Sequence, residues 1–231
     1  MAASDVKIMD LGNEAKDDLL QKMRTDTLFK FLPGPFPKVT STLSSDTIVL
    51  IKVHDVRMEN YKETKYGSKI SRMVTLHLGA EMMHLMKEVE EALKVAALRL
   101  GKINNKKITR DVLDNTFRSR LFTYDDESGA FTVSCGEAIT VAKKEGSDDR
   151  IDFNEITSHL STEGSTIPAL RVAVQPTYLW SQTPLKIGIS WELKVVAVAE
   201  WPLPTPSVVG VSQEKQQMLP SLDDLLDSLH M

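Results

Sequence analysis

From Ile187 to Ala199 every second residue is apolar: Ile187, Ile189, Trp191, Leu193, Val195, Ala197 and Ala199. Successive side chains of a strand point to opposite faces, so a period of two predicts a strand with one face in a core. The positions between run Gly188, Ser190, Glu192 and Lys194, then Val196 and Val198. The strand is therefore expected to start at an edge and finish covered on both sides. Upstream, Leu170, Val172 and Val174 repeat the pattern over a shorter span. Pro176 to Pro184 is expected as the loop that joins them, because proline offers no ladder donor. The pair predicts an antiparallel hairpin on which a sheet core is built.

The rest of the chain adds to that core. Thr47–Val53 is apolar on both faces and predicts a central strand. Ile70–Leu78 predicts another, with the charged stretch Asp55–Ser71 expected as a loop or hairpin end. Met82, Leu85, Met86, Val89, Leu93, Ala96 and Leu100 recur at three and four, the stripe of a helix over Glu81–Leu100 that Gly101 ends. Thr109 is placed to cap a short helix to about Phe117. Leu121–Tyr124 and Ala130–Ser134 flank a turn composition and predict a hairpin. Ala138–Ala142 predicts a strand and Asp152–Leu160 a short helix. The fold class expected is α+β: an antiparallel β-rich core with one long packed helix and flexible termini. Residues 1–45 are expected as an amino-terminal arm, with a short helix from Asn13 to Met23 and a proline-rich run, Leu32–Pro37. The core is expected over 46–201, and 202–231 as a proline-containing linker followed by an acidic tail.

Net charge is −4, so whole-chain electrostatics do not favour nucleic acid or an anionic membrane. The single cysteine, Cys135, excludes an intramolecular disulfide and fits a reducing compartment. No signal peptide, myristoylation site or membrane span is expected. Phosphate-loop, dinucleotide, zinc-helix and paired-cysteine motifs are absent, and the five histidines show no ligand spacing. A non-catalytic protein without cofactor or metal is the expectation.

Two stretches carry the candidate interactions. Arg99 to Arg120 holds seven basic residues against Asp111 and Asp114, a local +5. Lys102, Lys106, Lys107, Arg110, Arg118 and Arg120 are the candidate nucleic-acid contacts, with Phe117 and Phe122 placed to stack on bases. The competing reading is a solvated face with both phenylalanines in the core. In the tail, Leu222, Leu225, Leu226 and Leu229 share one face opposite Asp223, Asp224 and Asp227. So short a helix is marginal alone, and a partner protein is the candidate occupant of its leucine face.

The run Thr75-Leu-His-Leu-Gly79-Ala resembles a strand of plant-virus movement proteins of the thirty-kilodalton superfamily, and Ile167–Tyr178 resembles that family's terminal strands. The resemblance implies a jelly-roll-related domain, sequence-independent binding of single-stranded nucleic acid, and a location in host cytoplasm or at plasmodesmata. Only His77 and Gly79 carry over as motif residues. Thr183–Gly188, leading into the long alternating strand, resembles the late sheet of rhabdovirus matrix proteins. That second resemblance implies a virion component, matrix or capsid, that self-associates.

Overall fold

The strand predicted over Ile187–Ala199 forms, and its pairing on both edges decides the architecture. The computed structural model describes residues 6–10, 16–25, 28–42, 48–103, 105–125, 128–136, 140–144, 149–182, 186–198 and 201. In chain order, β1 (Val6–Asp10) and α1 (Lys16–Arg24) precede a short hairpin of β2 (Phe29–Leu32) and β3 (Lys38–Ser41). A long hairpin follows, β4 (Ile48–Tyr66) and β5 (Lys69–Gly79), and runs directly into α2 (Ala80–Ala97). Next come a two-stranded ribbon, β6 (Lys102–Ile103) and β7 (Lys106–Lys107), then α3 (Arg110–Thr116). The hairpin of β8 (Leu121–Thr123) and β9 (Ser128–Ser134) comes after it. β10 (Val141–Lys144), β11 (Arg150–Ile151) and α4 (Phe153–Leu160) lead to the last hairpin, β12 (Ile167–Gln182) and β13 (Lys186–Val198).

Five of these strands close a barrel. β4 pairs with β5, β5 with β9, β9 with β13, β13 with β12, and β12 returns to β4. Every pair is antiparallel except β9 with β13, which meet in parallel at Ser134 and Glu192. Counted along the chain, the barrel strands lie in the order 1-2-3-5-4, with the fourth closing on the first. This is the strand order of the OB barrel. The β-rich core and packed helix expected from the sequence are present, but the core is a tube and not two packed jelly-roll sheets. The physical reason lies in β12. It is paired along both edges and shifts register after Ala169, Ala173 and Pro176, and such bulges bend a strand enough to close a sheet on itself.

Register shifts in β12 and in β4 go with two differences from the sequence reading. Pro176 lies inside β12 and not in a loop, because its missing N–H falls at the register shift between Pro176 and Tyr178. Asp55–Ser71 is strand as far as Tyr66, with Asp55 and Asn60 in the left-handed region (φ 50° and 52°) and a register shift between Glu59 and Lys62. The outer end of this hairpin leaves the barrel, so its polar residues face solvent on both sides. The described residues of the expected arm are built into the sheet. β1 pairs in parallel with β4, β3 meets β12 at Lys38 and Tyr178, and α1 packs on α2 with Leu20 and Met23 buried. Asn13, the linker and the leucine-faced tail lie outside the described residues.

Inside the barrel Trp191 is 2% exposed and meets Phe131 edge to face, ring centroids 5.3 Å apart. Val53, Leu76, Val133, Val172 and Leu193 bring one buried residue from each barrel strand. The stripe of α2 is buried as its spacing predicts, through Met82, Leu85, Met86, Val89, Leu93 and Ala96. The helix tightens into a 3₁₀ turn over Leu98–Leu100 and ends at Gly101, whose φ of 67° suits glycine. Trp191→Ala is expected to lower stability by about 3–5 kcal/mol, the cost of removing a large side chain from a closed core. Chemical denaturation of the two proteins measures it, and an unchanged midpoint would remove Trp191 from the core.

Candidate nucleic-acid interface

In an OB barrel the face of the second and third strands, with the loops joining strands one to two and four to five, is where oligonucleotides and oligosaccharides lie. A groove of about 1020 Å³ occupies that place here. Its walls are the start of β5, the end of β9, the segment between α3 and β8, and the end of β12. Lys69, Arg72, Arg118 and Arg120 supply four positive charges. Phe36, Phe122, Tyr178 and Trp180 supply four aromatic rings. None of the described lining residues is acidic, in a chain with more acidic than basic residues.

Each group is held by local structure. The turn after Leu32 carries Pro33, Gly34 and Pro35, and it delivers Phe36 to the groove. The Leu179 N–H donates to the Pro37 carbonyl at 2.8 Å, fixing that turn against β12. Phe36 and Tyr178 then meet edge to face at 6.4 Å. Phe36 is 58% exposed, Phe122 53% and Tyr178 39%, so these rings face water together without a core to explain them. The Arg120 guanidinium lies over the Trp180 ring, 5.9 Å from its centroid. Arg72 donates to Glu63 at 3.0 Å, an exposed pair that orients the side chain and adds little stability.

Gly188 is the hinge of this arrangement. A Cβ there would stand 2.4 Å from the Trp180 ring and 2.8 Å from the Arg118 carbonyl oxygen. The absence of a side chain lets the ring and the Arg118 segment both press against β13. The Arg118 N–H donates to the Ile187 carbonyl at 2.7 Å, and Phe117 bridges Ile187 from the same side. Cys135 also lines the groove, but burial pushes its thiol up to about 12, so it stays protonated and unreactive.

The basic stretch singled out in the sequence divides. Arg118 and Arg120 line the groove, and Phe122 stands beside them. Lys102, Lys106 and Lys107 lie on the β6–β7 ribbon and are not among the groove's lining residues. Arg110 is turned to Glu91 and to Asp114, the latter at 2.8 Å, and its hydrogen bond holds the Asp114 carboxyl below the usual range. Phe117 is half-buried with the Lys94 ammonium 5.1 Å from its ring centroid. His77 pairs with Glu59 on the β4–β5 hairpin and lies beside Tyr124, while Gly79 caps the start of α2. The tail leucines, Leu222, Leu225, Leu226 and Leu229, lie outside the described residues. Sequence reasoning missed Lys69, Arg72, Phe36, Tyr178 and Trp180. The available signal was the pair Tyr178 and Trp180 beside prolines, at positions a strand turns outward. A second hollow of about 360 Å³, rimmed by Lys52, Lys143 and Arg171, has an aliphatic floor and no aromatic ring among its described residues.

Fold and groove together define an OB-type barrel with a cationic, aromatic-lined face. No family model matches the chain, and no curated protein matches it. Among solved structures it is similar to the single-stranded DNA-binding protein from bacteriophage Enc34 in complex with ssDNA. Identity is 13% over 76% of this chain and 97% of that one, with a TM-score of 0.43. A C-terminally truncated form of the Enc34 protein gives 12% identity over 77% and 98%, TM-score 0.45. The gp2.5 single-stranded DNA-binding protein encoded by bacteriophage T7 gives 11% over 77% and 93%, TM-score 0.41.

Gly188→Val is expected to destabilise the fold by about 1–3 kcal/mol, the usual range for overpacking, and to change tryptophan emission as Trp180 is displaced. Thermal melting and fluorescence check it; an unperturbed emission spectrum would mean the ring does not lean on Gly188.

Proposed function

We propose that this protein binds single-stranded nucleic acid, without reading its sequence, in the groove between the end of β12 and the start of β5. The observation that carries the reading is the composition of that groove: four cations, four rings and no described acid, in a chain of net charge −4. Lysine and arginine neutralise phosphates whatever the sequence, and release counterions as they do so. Every base has a π-face, so rings facing solvent stack on any base, but only where bases are not already stacked in a duplex. The groove is neutral between the cell-to-cell transport and the virion roles that the resemblances implied. Transport is a further use that a fluorescent fusion in leaf cells would test through wall-spanning foci.

The test is a fluorescence titration with a thymidine homopolymer at several salt concentrations. Each phosphate neutralised contributes about −0.7 to the slope of log affinity against log salt for a single strand, so four cations give roughly −3. Arg118→Ala with Arg120→Ala is expected to make the slope shallower by about 1.4. Phe122→Ala is expected to lose about 1–3 kcal/mol with little change in slope. Duplex DNA should compete poorly. Binding that survives the groove substitutions but is lost on Lys106→Glu with Lys107→Glu would move the site to the ribbon and overturn the reading.

A further inference from the structure

Behind the basic segment of the groove, α2 buries a carboxylate beside its apolar stripe. Met86, Val89 and Leu93 around it are buried, and so is Glu90, 7% exposed. Among the described residues Glu90 is the only buried side chain of a charged type. Its carboxyl faces the Ser119 hydroxyl and the Arg120 backbone N–H, while its Oε1 has no hydrogen-bond partner. Burying a carboxylate with incomplete partners is unfavourable, and an aliphatic residue would pack there without that penalty. Of the residues it faces, Arg120 carries one of the groove's cations, and Arg118, which carries another, directly precedes Ser119. Segment Arg118–Arg120 has no helix or strand of its own. It is also held by the Arg118 N–H donating to Ile187, by the Ser119 hydroxyl oxygen accepting from the Leu121 N–H at 2.9 Å, and by the Arg120 carbonyl accepting from the Thr132 N–H at 3.1 Å.

We propose that Glu90 is the positioning residue of the groove: its carboxyl sets where Arg118 and Arg120 stand, and its protonation is coupled to nucleic-acid binding. The inference rests on the function proposed above. Phosphates arriving at Arg118 and Arg120 add negative potential close to Glu90 and favour its neutral form. By reciprocity, the strand binds more tightly when Glu90 is protonated. Burial holds the Glu90 carboxyl above the usual carboxylate range, against the pull of Ser119, Arg120 and Lys94 and with a push from Glu91. Affinity is therefore expected to fall as pH rises through that raised titration. Burial also acts on Glu91, but the hydrogen bonds from Lys94 and Arg110 outweigh it and hold that carboxyl low. No histidine is among the described lining residues of the groove.

The experiment titrates the full chain with a thymidine homopolymer at fixed ionic strength between about pH 5 and 8, a range in which backbone phosphates stay ionised and unperturbed carboxylates have largely titrated. Wild type is expected to weaken about 3- to 10-fold as pH rises, the linkage of a carboxyl shifted by half to one unit on binding. Glu90→Gln keeps the shape and an acceptor but has no proton to exchange. It is expected to bind at the wild type's low-pH affinity with a flat profile. Glu90→Leu removes the acceptors; it is expected to bind more weakly at every pH while its melting temperature holds or rises. A flat wild-type profile, or a Glu90→Gln variant that keeps the wild-type slope, overturns the coupling. Glu90→Leu with wild-type affinity overturns the positioning role. Wild type that fails to bind at low salt at any pH sinks the proposed function itself, a result distinct from the others.

Discussion

β13 is paired on both edges, antiparallel to β12 on one and parallel on the other to β10 and, at Glu192 and Ser134, to β9, and the meeting with β9 turns a curved sheet into a closed tube. Without it, Trp191 would have no Phe131 to meet, and the end of β9 would not stand beside the end of β12. The groove exists because those two ends are brought together with the start of β5. Its side chains come from six separate parts of the chain, and none of those parts is a binding site alone.

Charge is segregated on this molecule and is not simply deficient. Between α2 and α3, Lys94 is matched to Glu91 and Asp114, and Arg110 to the same two carboxylates. Around the groove basic side chains gather without a described acid in the lining, although Arg72 reaches out of it to Glu63. A local excess in sequence, such as the one over Arg99–Arg120, therefore predicts a field only once partners are counted. Arg110 contributes little to any field because its charge is spent on its neighbours, whereas Arg118 and Arg120 point theirs at a concave surface lined by rings.

The parts of the fold legible in the sequence were those set by local periodicity. The period of two in β13 and the stripe of α2 were readable because each element buries one face, and burial is what makes a pattern. The Thr109 cap was legible too, its hydroxyl accepting from the Val112 N–H at 3.3 Å. Barrel closure was not legible, since the bulges in β12 leave no strong mark on composition and a proline inside the strand argues against one. The groove was half legible for a related reason. Arg118, Arg120 and Phe122 are neighbours in sequence, but Lys69, Arg72, Phe36, Tyr178 and Trp180 join them only through topology. Glu90 was hidden most completely, because a glutamate on a helix ordinarily faces water.

The closing pairs of the barrel join β4 to β12, where Val53 lies opposite Val172 and Ile51 opposite Val174, more than a hundred residues further along. Contacts so distant in sequence are slow to form, because the chain loses the entropy of a long loop before any pairing compensates it. β4, apolar on both faces over Ile48–Val53, is made well before β12 and has no partner on its β12 edge until that strand follows. In that interval it is an open, sticky edge of the kind that chaperones hold and that seeds aggregation when they do not. A shortened chain that stops before β12 stays in that state, and one that stops between β12 and β13 lacks one strand of the barrel, and with it the tube, the core and the groove.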